Sequence, residues 1–419
     1  MMQDSQTINV DTEVLGGVET AHVPDGAAGT VPTGGLSGRR ILFVMPSIPL
    51  QGMERATIQI MRILIGQGAE VLCVTERTYG DKVRAEVERL GARCIAIDCH
   101  VKLELAKNPR TMGRMFWHWA RFALALRRTI REFRPTHIHI TNISFFIYSF
   151  PAIWRTKSPV VFRLSNPPVA GLPRMKQAAW NWIWRRCVPA ACDVLVCNSQ
   201  FALAQLRARG VDFPNVVLLN NCLPERSVDG PSDIPPIRSD RFNIVYLGRI
   251  QPKKGCELLV DAAIRMLDEG LQVDVVLAGE YQWQNPFAEA LIARVARAGC
   301  AEHIRFLGEV QDVFGLLDAC DLHVHASLTE SFSNAVLEAK SRGVPSVAFP
   351  CTSLPEQITH LQDGYLCSDS SSDALYEGIR FFVDHPEERR AAGHAARRSL
   401  ERYSVERAAR AWVQLYQEV

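Results

Sequence analysis

The sequence predicts an α/β protein built from two doubly wound, Rossmann-like domains that face each other across a cleft. Three observations predict it. Short apolar runs, the mark of strands buried on both faces, alternate with helical stretches. The alternation breaks once, in a proline-rich stretch near the middle, and then resumes. At 419 residues the chain exceeds one ordinary core and suits two domains of roughly 180 residues each.

Taken in order, residues 1–38 are rich in Gly, Thr, Pro and Asp without a sustained period, and are expected to be a disordered leader. An N-terminal domain is expected over 39–222. Its strands read at 41–45, 71–75, 94–97, 138–140, 160–164, 194–197 and 216–219, with a first helix at 54–65. The most apolar stretch, 143–154, is short of the ~20 residues needed to cross a bilayer and reads as a buried helix. Residues 223–240 carry Pro224, Pro231, Pro235 and Pro236 and read as a linker. A second domain follows over 241–385, with strands at 242–247, 273–278, 304–307, 322–326 and 347–349 and helices at 256–269, 286–298 and 335–342. The tail, 386–419, reads as helical with a break at Tyr403-Ser404, and is expected to pack back on the first domain.

A formal net charge of +2 gives no global field for nucleic acid, so that partner class is set aside. Twelve cysteines contain no C-x-x-C pair, and many sit in apolar strand-like runs. They read as buried free thiols in a reducing cytoplasm. The first residues lack a basic start followed by an apolar core, so no secretory signal is expected.

Chemistry concentrates where strands end. The loop after the first strand, Pro46 to Glu54, has one glycine, Gly52; without G-x-G-x-x-G or a Walker lysine it excludes a nicotinamide enzyme and a P-loop NTPase. Gly52 either admits an anion to a helix N-terminus or simply starts the helix. The second domain's first strand runs into Gly248-Arg249, then Lys253-Lys254-Gly255 and a helix. Arg249 and Lys254 beside a helix N-terminus suit a diphosphate; the alternative is a solvated basic loop. In 326–348, Glu330 ends a loop and Glu338 lies inside the next helix, whose N-cap is Ser333 or Asn334. The pair is placed to bracket a ligand, Glu338 accepting from ribose hydroxyls and Glu330 from sugar hydroxyls. The amides of Ser331, Phe332, Ser333 and Asn334 would face phosphate and sugar. Taken alone, two glutamates at this spacing are more often solvated.

Together these segments resemble the retaining glycosyltransferases of the family-4 type, with the GT-B fold. The carriers are E-x7-E within S-x-x-E-S-F-S-N-A-x-L-E-A, Gly248-Arg249 with Lys254-Gly255, Gly52-Met53-Glu54-Arg55, and Phe306-Leu307-Gly308-Glu309-Val310. Asp363-Gly364-Tyr365-Leu366 and Arg134-Pro135-Thr136-His137-Ile138-His139 match less closely, and Gln51 stands where the family has a glycine. Asn198-Ser199 and Asn220-Asn221 echo family positions without an assigned role.

The resemblance implies a nucleotide-sugar donor held by Gly52, Gly248, Arg249, Lys254, Val310, Glu330, Ser331, Phe332, Ser333, Asn334 and Glu338, with Val310 meeting the base. It implies catalytic roles for Arg249, Lys254, Glu330 and His139, the last on the acceptor side, although His139 is equally a structural residue at a strand end. It implies retention by a front-face route, since no residue stands out as a nucleophile. The acceptor is expected to be a glycan or lipid-linked, in surface-polysaccharide or glycoconjugate assembly. A UDP-sugar is the first expectation for the donor and GDP-mannose the second. No D-x-D motif sits in a suitable loop, so neither a metal nor another cofactor is expected. An epimerase of the same fold and a non-catalytic nucleotide-sugar binder are the rival classes.

Two stretches of the first domain mix arginine with tryptophan. Residues 110–134 carry Arg114, Arg121, Arg127, Arg128 and Arg131 among Phe116, Trp117, Trp119 and Phe122; residues 172–188 carry Arg185 and Arg186 with Trp180, Trp182 and Trp184. Either the aromatics form core, or the domain rests on the anionic, cytoplasmic face of a membrane.

Overall fold

The structure, a computed structural model, describes residues 34–46, 52–77, 82–98, 109–165, 174–223, 234, 236–281 and 285–419, with backbone alone at 109–112 and 174–176. The first domain alternates β1 (Arg40–Val44), α1 (Gly52–Gly66), β2 (Glu70–Glu76), α2 (Lys82–Arg89), β3 (Arg93–Ile97), α3 (Pro109–Phe133), β4 (His137–Ile140), α4 (Ile143–Ile153), β5 (Val160–Leu164), α5 (Arg174–Trp182), α6 (Val188–Ala191), β6 (Val194–Cys197), α7 (Gln200–Arg207) and β7 (Val216–Leu218). Its seven strands are parallel in the order β3-β2-β1-β4-β5-β6-β7. Because successive side chains alternate, Leu42 and Val44 enter the core beneath α3, α4 and α6, while Ile41 and Phe43 enter the core beneath α1 and α2.

The second domain comprises β8 (Phe242–Leu247), α8 (Cys256–Asp268), β9 (Val273–Ala278), α9 (Pro286–Arg297), β10 (Ile304–Gly308), α10 (Val313–Asp318), β11 (Leu322–His325), α11 (Asn334–Arg342), β12 (Ser346–Ala348), α12 (Leu354–Gln357), β13 (Gly364–Leu366) and α13 (Ser372–Asp384). Its six strands run β10-β9-β8-β11-β12-β13, also parallel. The short strand β13 and the helix α13 are absent from the sequence reading. Three residues closing a turn carry too little periodicity to stand out.

The tail divides its loyalty. Helix α14 (Pro386–Ser399) packs on the second domain through Ala392 and Ala396, and Gly393 lies so close to Gly343 that a Cβ there would come within 2.2 Å of its carbonyl. After a 3-10 turn over Leu400–Tyr403, Ser404 caps α15 (Val405–Glu418), which buries Trp412 and Tyr416 on the first domain. The chain therefore crosses between domains twice.

Residues 1–33 of the expected leader lie outside the described residues. Residues 34–38 depart from it: Leu36 is buried, its amide donates to Gln67 O at 3.0 Å, and Gln417 donates to Gly35 O at 2.9 Å. The described end of the linker is docked too, with Arg238 donating twice to Asp274 (2.6 and 2.7 Å). Among the described residues no helix is long and apolar enough to cross a membrane. The described cysteines are free, most of them buried.

His139 departs from the acceptor-side expectation. It is 0% exposed, stacks on Phe43 with ring centroids 4.5 Å apart, and bonds through Nδ1 to the Tyr416 hydroxyl at 2.6 Å. Residue 139 points to the face of the sheet that α15 covers, so its ring lies in packing and not in the cleft. Burial, and next the charge of Arg163, push its pKa well below the usual value and keep it neutral.

Candidate active site

The cationic edge of the cleft is a loop that only glycine permits. Gly255 follows the 3-10 turn Pro252–Lys254 with φ +62°, and a Cβ on it would come within 2.0 Å of the Ala326 carbonyl. Buried Tyr246 pins the same loop, its hydroxyl 3.1 Å from Arg249 O and 3.4 Å from Lys254 O. Arg249 is half-buried and has no ion-pair partner among the described residues. Lys253, to which the sequence assigned no role, belongs to the same cluster. Burial lowers its pKa first, and then the charges of Arg249 and Lys254.

Lys254 Nζ donates to Glu330 Oε2 at 2.6 Å, with side-chain exposures of 20% and 19%. Burial alone raises the Glu330 pKa; His325 and the Lys254 ammonium outweigh it and hold the carboxyl at about 2. The Glu330 backbone is fixed as well. Its amide donates to Thr352 Oγ1 at 3.0 Å, and Ser353 Oγ donates to its carbonyl at 3.2 Å. Thr352 holds φ +55°, an unfavourable conformation for a β-branched residue and a place where strain serves positioning.

Helix α11 begins one turn later. Ser333 is its N-cap, accepting from Val336 N at 3.3 Å. Its own amide is committed to Gln357 Oε1 at 2.8 Å, so it is not free for a ligand as the sequence reading expected. Phe332, whose amide was expected to face the donor, has its side chain buried against Tyr403 with centroids 5.4 Å apart. Ser331 Oγ is buried without a partner among the described residues. Glu338 lies a turn inside α11 and is buried. Burial lifts its pKa to about 7, against the opposing charge of Arg55 in α1. Gly248 sits between Arg249 and the end of β8, where an added Cβ would press on the Tyr246 hydroxyl at 3.0 Å. Val310, just past β10, is buried with Leu316 and Leu317.

Among the described residues, Asn334, Glu356 and Lys82 make polar contacts across the cleft. Asn334 donates to Gly52 O at 3.0 Å and accepts from Asn221 at 2.8 Å. Asn221 in turn accepts from Arg163 at 2.5 Å, a guanidinium only 1% exposed whose pKa burial brings down to about 10. Glu356 of α12 accepts from the amides of Gln200 and Phe201, at 2.8 and 2.7 Å, at the start of α7. Lys82 pairs with Glu309 at 3.1 Å. Arg163, Asn221 and Glu356 were not assigned roles from sequence. A buried arginine in an otherwise apolar strand was the available signal, since such a charge requires partners from elsewhere in the chain.

The aromatic–basic stretches divide. Phe122 and Trp184 are buried, Trp119 and Trp180 pack at the core margin, and Phe116, Trp117 and Trp182 are 62%, 53% and 61% exposed. A π-helical turn over Ile183–Cys187 follows α5 and carries Trp184 onto Phe162, centroids 5.8 Å apart, leaving Trp182 outside. Trp154 is 52% exposed on the same side of the sheet. Arg121 and Arg155 lie over Trp117 and Trp154 at 5.1 and 5.0 Å.

Two family profiles match the chain in sequence. "Glycosyl transferase 4-like domain" covers 51–222 and "Glycosyl transferases group 1" covers 232–399. A GDP-mannose-dependent phosphatidylinositol dimannoside mannosyltransferase of Mycobacterium tuberculosis is 31% identical over 52% of this chain and 55% of its own length, so the match spans about half of that relative. The lipopolysaccharide core mannosyltransferase LpsB of Rhizobium meliloti is 26% identical over 56% of this chain and 68% of its own. In fold, the chain is similar to Anabaena HepE solved with UDP and glucose (TM-score 0.75, 18% identity, covering 91% of this chain and 100% of that one). It is also similar to a Rickettsia africae glycosyltransferase (TM-score 0.73, 17% identity, covering 91% and 98%).

Proposed function

The chain belongs to the family-4 type of GT-B glycosyltransferases, and from that premise we propose that it moves a hexosyl group from a nucleotide-sugar to a glycan or lipid-linked acceptor. The observation that carries the reading is the Lys254–Glu330 pair just ahead of α11, whose first residue, Asn334, bonds Gly52 of the other domain and whose interior carries the buried Glu338. Arg249, Lys253 and Lys254, with the dipole of α11, supply the positive charge a departing diphosphate needs. Glu338 accepts from the ribose and Glu330 from the sugar. The acceptor oxygen bonds to the anomeric carbon on the face from which the phosphate leaves, and a phosphate oxygen takes the hydroxyl proton; configuration is retained. With this charge in place, transfer is expected to proceed in EDTA.

The activities of the two mannosyltransferase relatives favour GDP-mannose over a UDP-sugar, and lipid or lipopolysaccharide acceptors. The exposed Phe116, Trp117, Trp154 and Trp182, flanked by Arg121 and Arg155, support peripheral attachment to the cytoplasmic leaflet. The test is release of nucleoside diphosphate from GDP-mannose and from UDP-glucose, with and without a lipid extract as acceptor. Acceptor-dependent release supports a transferase. Conversion of donor without free nucleotide supports the epimerase, and binding without turnover of either supports a non-catalytic binder.

A further inference from the structure

His325 closes β11 as a buried polar group beside Glu330. Its side chain is 5% exposed, and neither ring nitrogen lies within hydrogen-bond distance of a partner among the described residues. Nε2 stands 3.7 Å from Glu330 Oε2, just beyond bonding distance, while Lys254 holds that same oxygen at 2.6 Å. Buried imidazoles are ordinarily satisfied, so an orphaned one aimed at a carboxylate needs a reason. The neighbouring His323 differs in having one ring nitrogen bonded: its Nδ1 faces Ser346 Oγ at 2.9 Å, while its Nε2 has no partner among the described residues, and its pKa is lowered by burial and then by His325.

The diphosphate assignment supplies the reason. Lys254 cannot serve both a phosphate oxygen and Glu330 at full strength. Once it turns to the phosphate, Glu330 becomes a mostly buried carboxylate without its paired cation, an arrangement costly in free energy. A shift of less than ~1 Å brings His325 Nε2–H into hydrogen-bond range. We propose that His325 is a positioning residue that takes over Glu330 when bound diphosphate draws Lys254 away, keeping the carboxylate aimed at the donor sugar. The inference rests on the nucleotide-sugar reading above. The charged or titratable groups around this exchange are Lys253 and Lys254 on the phosphate loop, Tyr246 on β8, His323 on β11 and Cys351 after β12, with Glu330 at its centre.

The exchange is visible without turnover. With histidine labelled by nitrogen-15 in the full chain, and His325 assigned by comparison with His325→Gln, the titration midpoint of His325 is followed by NMR. Readings are taken free and after saturation with GDP, UDP or inorganic pyrophosphate, saturation being fixed by calorimetry. The expected result is a rise of about one pH unit on saturation, and no rise in Glu330→Gln. An unmoved or lowered midpoint in a saturated protein overturns the exchange and leaves the diphosphate reading standing. A rise that persists in Glu330→Gln assigns the effect to the phosphate and also overturns it. Failure of all three probes to bind overturns the nucleotide-sugar reading and the exchange with it. In donor turnover, His325→Leu is expected to lower kcat ~10–100-fold while inhibition by the nucleoside diphosphate stays within about twofold. His325→Gln, which keeps an N–H donor, recovers most of it, and His325→Leu adds nothing in a Glu330→Gln background. Additive losses would make His325 merely structural.

Discussion

Asn334 Nδ2 donates to the Gly52 carbonyl across the cleft at 3.0 Å, so the first residue of α11 is also a bolt between the domains. Its Oδ1 takes Asn221, and through it the buried Arg163, so donor site and closure share one side chain. Asn334→Ala should widen the solution envelope by small-angle scattering and lower donor turnover about tenfold, with a stability cost near ~1 kcal/mol. An unchanged scattering profile with normal turnover would refute the bolt.

The two principal cations of the phosphate loop should separate on substitution. Arg249→Ala and Lys254→Ala are each expected to lower turnover by ~10²–10³. Only Lys254→Ala should also lower stability, by on the order of 1–3 kcal/mol, because it strips Glu330 of its cation. Glu330 has a depressed pKa of about 2, so its contribution is present above the unfolded carboxylate value and lost as pH falls towards 2. Urea melts from pH 7 down to about pH 2 should therefore show the gap between wild type and Lys254→Ala narrowing steadily below the unfolded carboxylate value. A constant gap would contradict the pairing.

Glu338 carries the opposite sign. Its pKa of about 7 means the folded protein holds a proton that the unfolded chain releases near 4.5, so stability falls as pH rises from there through 7. Glu338→Gln should flatten that decline. If the carboxylate accepts from ribose, nucleoside diphosphate binding should release a proton and tighten through pH 7 in the wild type alone. Glu338→Gln should weaken free nucleotide and nucleotide-sugar alike, whereas Glu330→Gln should spare free nucleotide. Calorimetry in buffers of different ionisation enthalpy reads both; equal nucleotide losses in the two variants would collapse the division of roles.

His139 should matter to folding and not to chemistry. His139→Ala removes a ring packed between Phe43 and Tyr416 and is expected to cost ~2–4 kcal/mol. Turnover per folded molecule should stay within about twofold below the new melting temperature. A loss of several orders of magnitude at intact fold would return His139 to the reaction.

For the membrane, Trp117→Ala and Trp182→Ala together should reduce sedimentation with anionic liposomes at low salt, and leave melting nearly unchanged because both rings are exposed. Equal, negligible binding of wild type to anionic and neutral vesicles would end the proposal, as would full transfer to water-soluble acceptors with no gain from a lipid tail.

The sequence alone determined the two parallel sheets, because each central strand is a short apolar run legible wherever both faces are buried, as at 160–164 and 273–278. It also marked Gly255, Lys254, Glu330 and Glu338, since loop and helix-start chemistry is local in the chain. Tertiary structure alone decided the rest. His139 reads the same whether its face of β4 meets solvent or α15, and only the return of the tail, 277 residues later, settles that it is buried. That Asn334 bonds both Gly52 and Asn221 is illegible until the domains close and bring an amide to a carbonyl 282 positions away. His325 looks like one more strand residue until the fold sets its ring beside a carboxylate already held by Lys254. Periodicity records which face a residue occupies; hydrogen bonds between distant elements depend on distances that no local pattern encodes.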